Sequence, residues 1–279
     1  MSALEKIKKK IRKGRGQGTG ADYKPWITVQ DFPSHGQCNR EFGHSTGRQH
    51  DLMSQGERYC FLVFDWSRRV MDIREQFPLL SPNKLFPLEL TISIAKQCGI
   101  KHPPRNAAEP DALTTDFLIT VARPIGTVLF ARTFKRSSEL SNKRVIEKFE
   151  IERRYWVAQA VDWGIITEHQ IDMVLAKNIE WVHPYRDITS LHPLTEDKVE
   201  KIATTLTRMI ANDSRTLSDI ALYCDDRMGI EHGRSLAVAR FLIGSRQWEV
   251  DMTKPIHPEC RFDLLDVCLQ TRRKKASGE

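Results

Sequence analysis

Apolar and polar positions change period along this chain, and the sharpest pattern lies between residues 114 and 135. Thr114–Val121 (TTDFLITV) and Thr127–Lys135 (TVLFARTFK) are rich in β-branched and aromatic residues, and Arg-Pro-Ile-Gly between them is a turn signal. The pattern predicts a β-hairpin. A turn centred between Pro124 and Ile125 puts Asp116 opposite Thr133. Lys135, two residues on, then shares a face with Thr133, because strand side chains alternate.

Helical spacing follows over Ser138–Ala158, with Leu140, Val145, Phe149 and Trp156 on one side, and a strand over Val161–Thr167. Upstream, a helix is expected to begin within Leu52–Arg58 and run to Phe64, with a strand near Val70–Arg74. A small helix over Leu88–Cys98 is stopped by Gly99. This order predicts an α/β fold, a mixed sheet flanked by helices.

Beyond Thr167 the texture turns to short helices. Pro184–Pro193 reads as a linker. Thr195 as N-cap and Glu196 in the first turn open a helix to about Ala211, followed by helices over Thr216–Asp226 and Ile230–Ser245. Trp248–Met252 reads as a wing strand, so the C-terminal part is expected to be a winged-helix-like helical domain. A protein-binding helical domain would give the same pattern. The glycine-rich run Gly14–Gly20 reads as a flexible hinge. The organisation expected is a basic N-terminal arm (1–20), an α/β domain (21–167), a winged-helix-like partner- or DNA-binding domain (168–271) and a basic tail (272–279).

Composition narrows the class. The chain has 279 residues, 40% hydrophobic and 28% charged, which suits a globular protein and excludes wholesale disorder. The longest uncharged apolar run, Tyr59–Phe64, is far short of the roughly 20 residues that cross a bilayer. No membrane association is expected, and the location expected is the cytoplasm. Six cysteines without a C-x-x-C pair predict reduced thiols.

Charge is concentrated at the ends. The first 15 residues carry seven basic groups and one acid, so Lys8, Lys9, Lys10, Arg12, Lys13 and Arg15 are candidate DNA contacts. Basic arms bind polyanions by displacing condensed counterions, although charge runs also serve simply as solvated tails.

A strand aspartate across a hairpin from a strand-end lysine is the core of a metal-dependent phosphodiesterase. Carboxylates hold Mg²⁺, which polarises the phosphate and acidifies a bound water, while the lysine stabilises charge or orients that water. Asp116 and Lys135 fit, but this pattern alone is weak.

Longer strings are more specific. Gly14–Gly36 (GRGQGTGADYKPWITVQDFPSHG), Thr46–Glu57 (TGRQHDLMSQGE), Asp72–Leu80 (DIREQFPLL), Gly99–Pro103 (GIKHP), Thr114–Leu118 (TTDFL) and Glu147–Trp156 (EKFEIERRYW) resemble the TnsA family of transposon-end endonucleases. The likeness runs in order from about Gly14 to Trp181 and is weaker beyond Pro184.

The resemblance implies that residues 21–167 form a restriction-endonuclease-like catalytic domain, in a protein of the bacterial cytoplasm that is at the nucleoid when acting, and that this domain cuts at the 5′ ends of a transposon. Its implied partners are transposon-end DNA, a TnsB-type transposase that cuts the 3′ ends, and a TnsC-type AAA+ regulator engaged by the C-terminal domain. The family motif falls on Glu57, Asp116 and Lys135. One or two Mg²⁺ ions are implied, held by Glu57, Asp116 and the Phe134 backbone carbonyl, with Thr133 and Glu152 as second-ion or supporting residues. Thr133 departs from the pattern, since the family usually has Gln there, and a hydroxyl is a poorer Mg²⁺ ligand. The alternative is a catalytically weak DNA-binding adaptor that tethers transposase and regulator.

Overall fold

The computed structural model describes residues 2–31, 38–83, 85–106, 109–110 and 112–267. The basic tail expected over 272–279 lies outside the described residues. The chain divides into two units, Met1–Asp172 and Met173–Glu279.

The N-terminal unit opens with helix α1 (Ala3–Arg12), started by a reciprocal capping box in which the Ser2 hydroxyl accepts the Glu5 N–H and the Glu5 carboxylate accepts the Ser2 N–H. A hairpin of β1 (Asn39–Gly43) and β2 (Arg48–Leu52) leads into α2 (Gln55–Trp66) and β3 (Val70–Pro78). Helix α3 (Glu89–Gln97) and a small ladder of β4 (Pro104–Asn106) with β5 (Glu109–Pro110) precede the hairpin of β6 (Thr114–Ala122) and β7 (Thr127–Phe134). A 3-10 turn over Ser137–Ser141 occupies the expected start of the long helix, so α4 runs Lys143–Ala158 with Asn142 as cap, ahead of β8 (Asp162–Ile166).

The central sheet is mixed, in the order β3-β6-β7-β8, with the last pair parallel and joined through α4. Phe117 faces Arg132 and Ala122 faces Thr127, the register that the Pro124–Ile125 turn predicts. One face carries Leu118 and Ala131 against Ile94 and Ala95 of α3 and Ile151, Tyr155 and Trp156 of α4. The other carries Ile73, Phe117 and Ile119 against Cys60 and Phe61 of α2. Phe61 and Phe117 are fully buried, each contributing about 1.5–3 kcal/mol by burial.

The N-terminal arm and the glycine run are part of this unit. Ile7 is buried with Trp26 and Leu88, and Ile11 packs beside them, so α1 is docked through its apolar side. Gly14 and Gly16 hold φ of +77 and +72, and a Cβ on Gly16 would stand 2.3 Å from the Pro78 ring. The run therefore lies against the end of β3 instead of acting as a hinge.

The C-terminal unit comprises α5 (Met173–Val182), α6 (Glu196–Asn212), α7 (Leu217–Met228) and α8 (Arg234–Gly244). Pro184–Pro193 is no extended linker: it holds two 3-10 turns and buries Leu191. Thr195 caps α6 as expected, Thr216 caps α7, and the Asp225 carboxylate accepts the Gly233 and Ser235 N–H groups at the start of α8. The strand expected over Trp248–Met252 is shorter, β9 (Trp248–Glu249), in a ladder of two residue pairs with β10 (Asp266–Val267).

Candidate active site

Four elements meet at one end of the central sheet. Glu57 sits in the first turn of α2, where Ser54 is the N-cap: the Ser54 hydroxyl accepts the Glu57 N–H at 3.1 Å and donates to Glu57 Oε1 at 3.0 Å. The Met53 N–H donates to Oε2 at 3.0 Å. These bonds fix the carboxylate of a side chain that is 7% exposed. The S-x-x-E capping pattern was the only signal in the residues themselves, and it marks a helix start as readily as a site.

Gly56 makes the approach possible. A Cβ there would lie 2.0 Å from the Phe134 ring, so any larger residue would push the start of α2 away from the end of β7.

Asp116 comes from β6. Its Oδ2 accepts the Phe134 N–H at 2.8 Å, and its Oδ1 accepts from Gln76 Nε2 at 3.4 Å. The same Gln76 amide donates to Glu57 Oε2 at 3.4 Å, so one side chain spans both carboxylates. The Thr114 hydroxyl donates to Gln76 Oε1 at 3.0 Å.

A break in strand alternation produces this arrangement. Thr115 and Phe117, two residues apart, would share a face of a regular strand. Instead Thr115 bonds Trp156 and Glu152 on the α4 side, while Phe117 packs on the α2 side. Opposite them, Phe77 stacks near Trp156 although Ile73, four residues earlier, packs with α2. Between Glu75 and Phe77 lies Gln76, a non-glycine residue at φ +47. Such a backbone costs on the order of 1–3 kcal/mol and turns the strand by one position. The Gln76 carbonyl accepts the Trp26 N–H at 3.2 Å, which helps to hold it.

Asp116 and Thr133, expected opposite one another, turn to different partners at this break. The register is as expected, but the Thr133 hydroxyl donates to Glu152 Oε1 at 2.6 Å, and Thr115 and the Trp163 indole donate to the same oxygen at 2.7 and 2.9 Å. Thr133 and Glu152 thus form a buried network toward α4, while Asp116 turns to Glu57 and Gln76.

Lys135 lies just past β7, its N–H donating to the Ile166 carbonyl, and its amine pairs with Glu139 at 2.6 Å. Its charge still acts on Glu57. Beside the site, burial would raise the Glu75 carboxyl, but bonds from Arg48 and His50 on β2 outweigh it and bring its pKa down to about 2.

The acids of the site behave oppositely. Burial raises the Glu57 pKa, against bonds from Met53, Ser54 and Gln76, and burial raises that of Glu152. Asp116 is pushed well above the usual carboxylate range by burial first and then by the charges of Glu57 and Glu152. Close carboxylates whose ionised forms are disfavoured suit a divalent cation, which would supply the missing positive charge. Among the described residues no three His, Cys, Asp or Glu side chains are grouped to hold a metal ion, so the Glu57–Asp116 pair would need neutral oxygens to complete a coordination shell.

The basic candidates divide. Lys10 is tied to the Trp26 carbonyl and ring, and Arg15 to Asp31, inside the fold. Lys9, Arg12 and Lys13 face solvent and Lys8 is half-buried. Arg153 and Arg154 both pair with Glu150. No helix among the described residues is long and apolar enough to cross a membrane.

Known proteins match this chain over two adjoining segments. The family described as TnsA-like endonuclease N terminal matches residues 67–168, which include Gln76, Asp116, Lys135 and Glu152. The family described as TnsA endonuclease C terminal matches residues 170–252. The transposon Tn7 transposition protein TnsA of Escherichia coli is 42% identical over 177 residues, covering 63% of this chain and 62% of that protein. Two successive segments of the chain therefore match the N-terminal and C-terminal models of one family, in order, and the chain belongs to the TnsA endonuclease family.

Proposed function

We propose that this chain is a divalent-metal-dependent DNA endonuclease that cuts the strand at the 5′ ends of a transposon during cut-and-paste transposition. The observation that carries the reading is the pair of carboxylates, buried Glu57 and half-buried Asp116, joined by Gln76 beside the strand-end Lys135. Glu57 and Asp116 would hold the cation, with the Phe134 carbonyl at the end of β7 as a neutral ligand. When bound, a divalent cation polarises the scissile phosphate and lowers the pKa of a bound water.

The chain's own residues supply the rest. Met53, Ser54 and the Phe134 N–H fix the carboxylates before substrate arrives, so little reorganisation is left for the reaction. Lys135, once its amine leaves Glu139, is placed to stabilise charge on the phosphate or to orient the attacking water. Hydrolysis leaves a 5′ phosphate and a 3′ hydroxyl. Glu152 acts from behind the site, fixing Thr115 and Thr133 through one oxygen. Lys8, Lys9, Arg12 and Lys13 on the docked α1 would contact DNA phosphates.

The similarity to a transposon Tn7 transposition protein supports transposition as the process. A TnsB-type transposase and a TnsC-type AAA+ regulator are the proposed partners, the latter engaged by residues 173–267. The test is strand-specific nicking of transposon-end duplex with those partners present. Cutting at 5′ ends that needs Mg²⁺ and stops with chelator supports the reading; cutting that continues under chelation contradicts it.

A further inference from the structure

Gln76 is the least ordinary residue of this unit, 4% exposed and held at φ +47 in the middle of a strand. Its side-chain amide donates to one oxygen of each carboxylate of the site, at 3.4 Å in both cases. That is the outer limit of a hydrogen bond. It is also close to the spacing of neighbouring oxygens around a hard cation, since octahedral ligands at about 2.1–2.4 Å stand roughly 3.0–3.4 Å from one another.

The other end of the amide is equally informative. Gln76 Oε1 accepts from the Thr114 hydroxyl at 3.0 Å. A hydroxyl both donates and accepts, so turning the amide by half a rotation exchanges its ends without breaking that bond: Nε2 would donate to Thr114 and Oε1 would face the carboxylates. Amide oxygens are good ligands for hard divalent cations. The neighbouring hydroxyl of Thr133 is already committed to Glu152.

We infer that Gln76 is a metal ligand of this site, donating its amide N–H to Glu57 and Asp116 in the metal-free protein and turning its amide oxygen to a divalent cation when one binds. The inference rests on Glu57 and Asp116 holding that cation, as proposed above. It assigns the strained backbone a purpose: the φ of Gln76 turns its side chain, and that of Asp116 across from it, to the face where Glu57 stands.

The experiment is a calorimetric titration of the full chain with Mg²⁺ and with Ca²⁺, alongside thermal melts with and without metal. Gln76→Gly removes the amide while glycine adopts the positive φ freely. It is expected to weaken metal affinity about tenfold or more, as removal of one supporting group typically does. Gln76→Glu keeps the length and replaces the donor with a second oxygen. It is expected to melt lower than wild type without metal and to gain more on metal addition. In ¹⁵N-labelled wild type, the Gln76 side-chain amide resonance should move on Ca²⁺ addition, a readout independent of any variant's folding. Wild-type metal affinity in Gln76→Gly, or an amide resonance that stays in place while the metal binds, would overturn the inference. Asp116→Asn separates the two claims. If it abolishes metal binding while Gln76→Gly does not, the site stands and Gln76 is no ligand. If it binds metal like wild type, the site itself is wrong and the inference falls with it.

Discussion

The backbone N–H of Phe134 donates to Asp116 Oδ2 at 2.8 Å, so a side chain makes the next link across the hairpin beyond the last ladder pair, Phe117 and Arg132. The carboxylate is thereby tied to the residue before Lys135. Asparagine can accept the same bond and alanine cannot. Asp116→Asn is therefore expected to fold as stably as wild type or more so without metal, whereas Asp116→Ala should lose about 1 kcal/mol relative to Asn. Denaturant titrations of the three proteins check the order.

The raised pKa of Asp116 gives that comparison a sign in pH. A carboxyl whose folded pKa lies above its ordinary value near 4 binds its proton more tightly when folded. Its contribution to stability is complete below about pH 4 and is lost as pH rises through the raised value. The advantage of Asp116→Asn over metal-free wild type should accordingly grow from pH 4 to pH 8. Glu75 works the other way: its pKa is brought down to about 2, so its contribution is complete above the ordinary glutamate value and is lost as pH falls toward 2. Arg48→Met should flatten that acid limb, read as melting temperature between pH 5 and pH 2. Mg²⁺ at ten times its dissociation constant should add about 1.4 kcal/mol to wild type and little to Asp116→Asn.

Gly56→Ala places a methyl where the Phe134 ring now lies, 2.0 Å from the nearest ring carbon. Overpacking of this kind costs about 1–3 kcal/mol, and here it also displaces Glu57. The variant should lose both stability and metal binding, and Phe134→Leu in the same chain should restore part of each. A double-mutant cycle in which the two effects simply add would show that the Gly56–Phe134 packing does not govern the approach of α2.

Helix α1 is docked by Ile7 with Lys9, Arg12 and Lys13 turned to solvent. Replacing these three with Gln is expected to weaken DNA binding uniformly across sequences and to reduce the slope of log affinity against log salt by about 0.9 for each phosphate that is no longer neutralised. Lys10→Gln and Arg15→Gln should instead lower the melting temperature, because both groups hold the fold together. An unchanged salt slope in the triple variant would make α1 a solubilising element.

Much of this was legible in the residues because local chemistry dictates it. The Arg-Pro-Ile-Gly turn set the hairpin register, and Thr195 and Thr216 marked the starts of α6 and α7. The face on which Asp116 lies was not legible, since it depends on Gln76 holding φ +47, a conformation that no propensity assigns to glutamine. The β1–β2 hairpin was missed because Asn39–Gly43 and Arg48–Leu52 carry charges in place of β-branched residues, and Arg48 and His50 find their partner in Glu75, far along the chain. Glu57 entered through resemblance alone: a capping glutamate looks the same in sequence whether or not a carboxylate waits across the sheet. The docking of α1 was likewise hidden, because Ile7 and Ile11 find Trp26 and Leu88 only in the folded unit.

The central claim is that Glu57, Asp116 and Lys135 cut the 5′ strands. Its most direct measurement is a denaturing-gel assay of both strands at a transposon end, with the transposase and regulator present and Mg²⁺ supplied, comparing wild type, Asp116→Asn and Lys135→Ala. The prediction is 5′-strand cutting by wild type, its loss in both variants, and 3′-strand cutting by the partner in all three, so that joined products shift toward replicative forms. Wild-type 5′ cutting by Asp116→Asn or Lys135→Ala would contradict it.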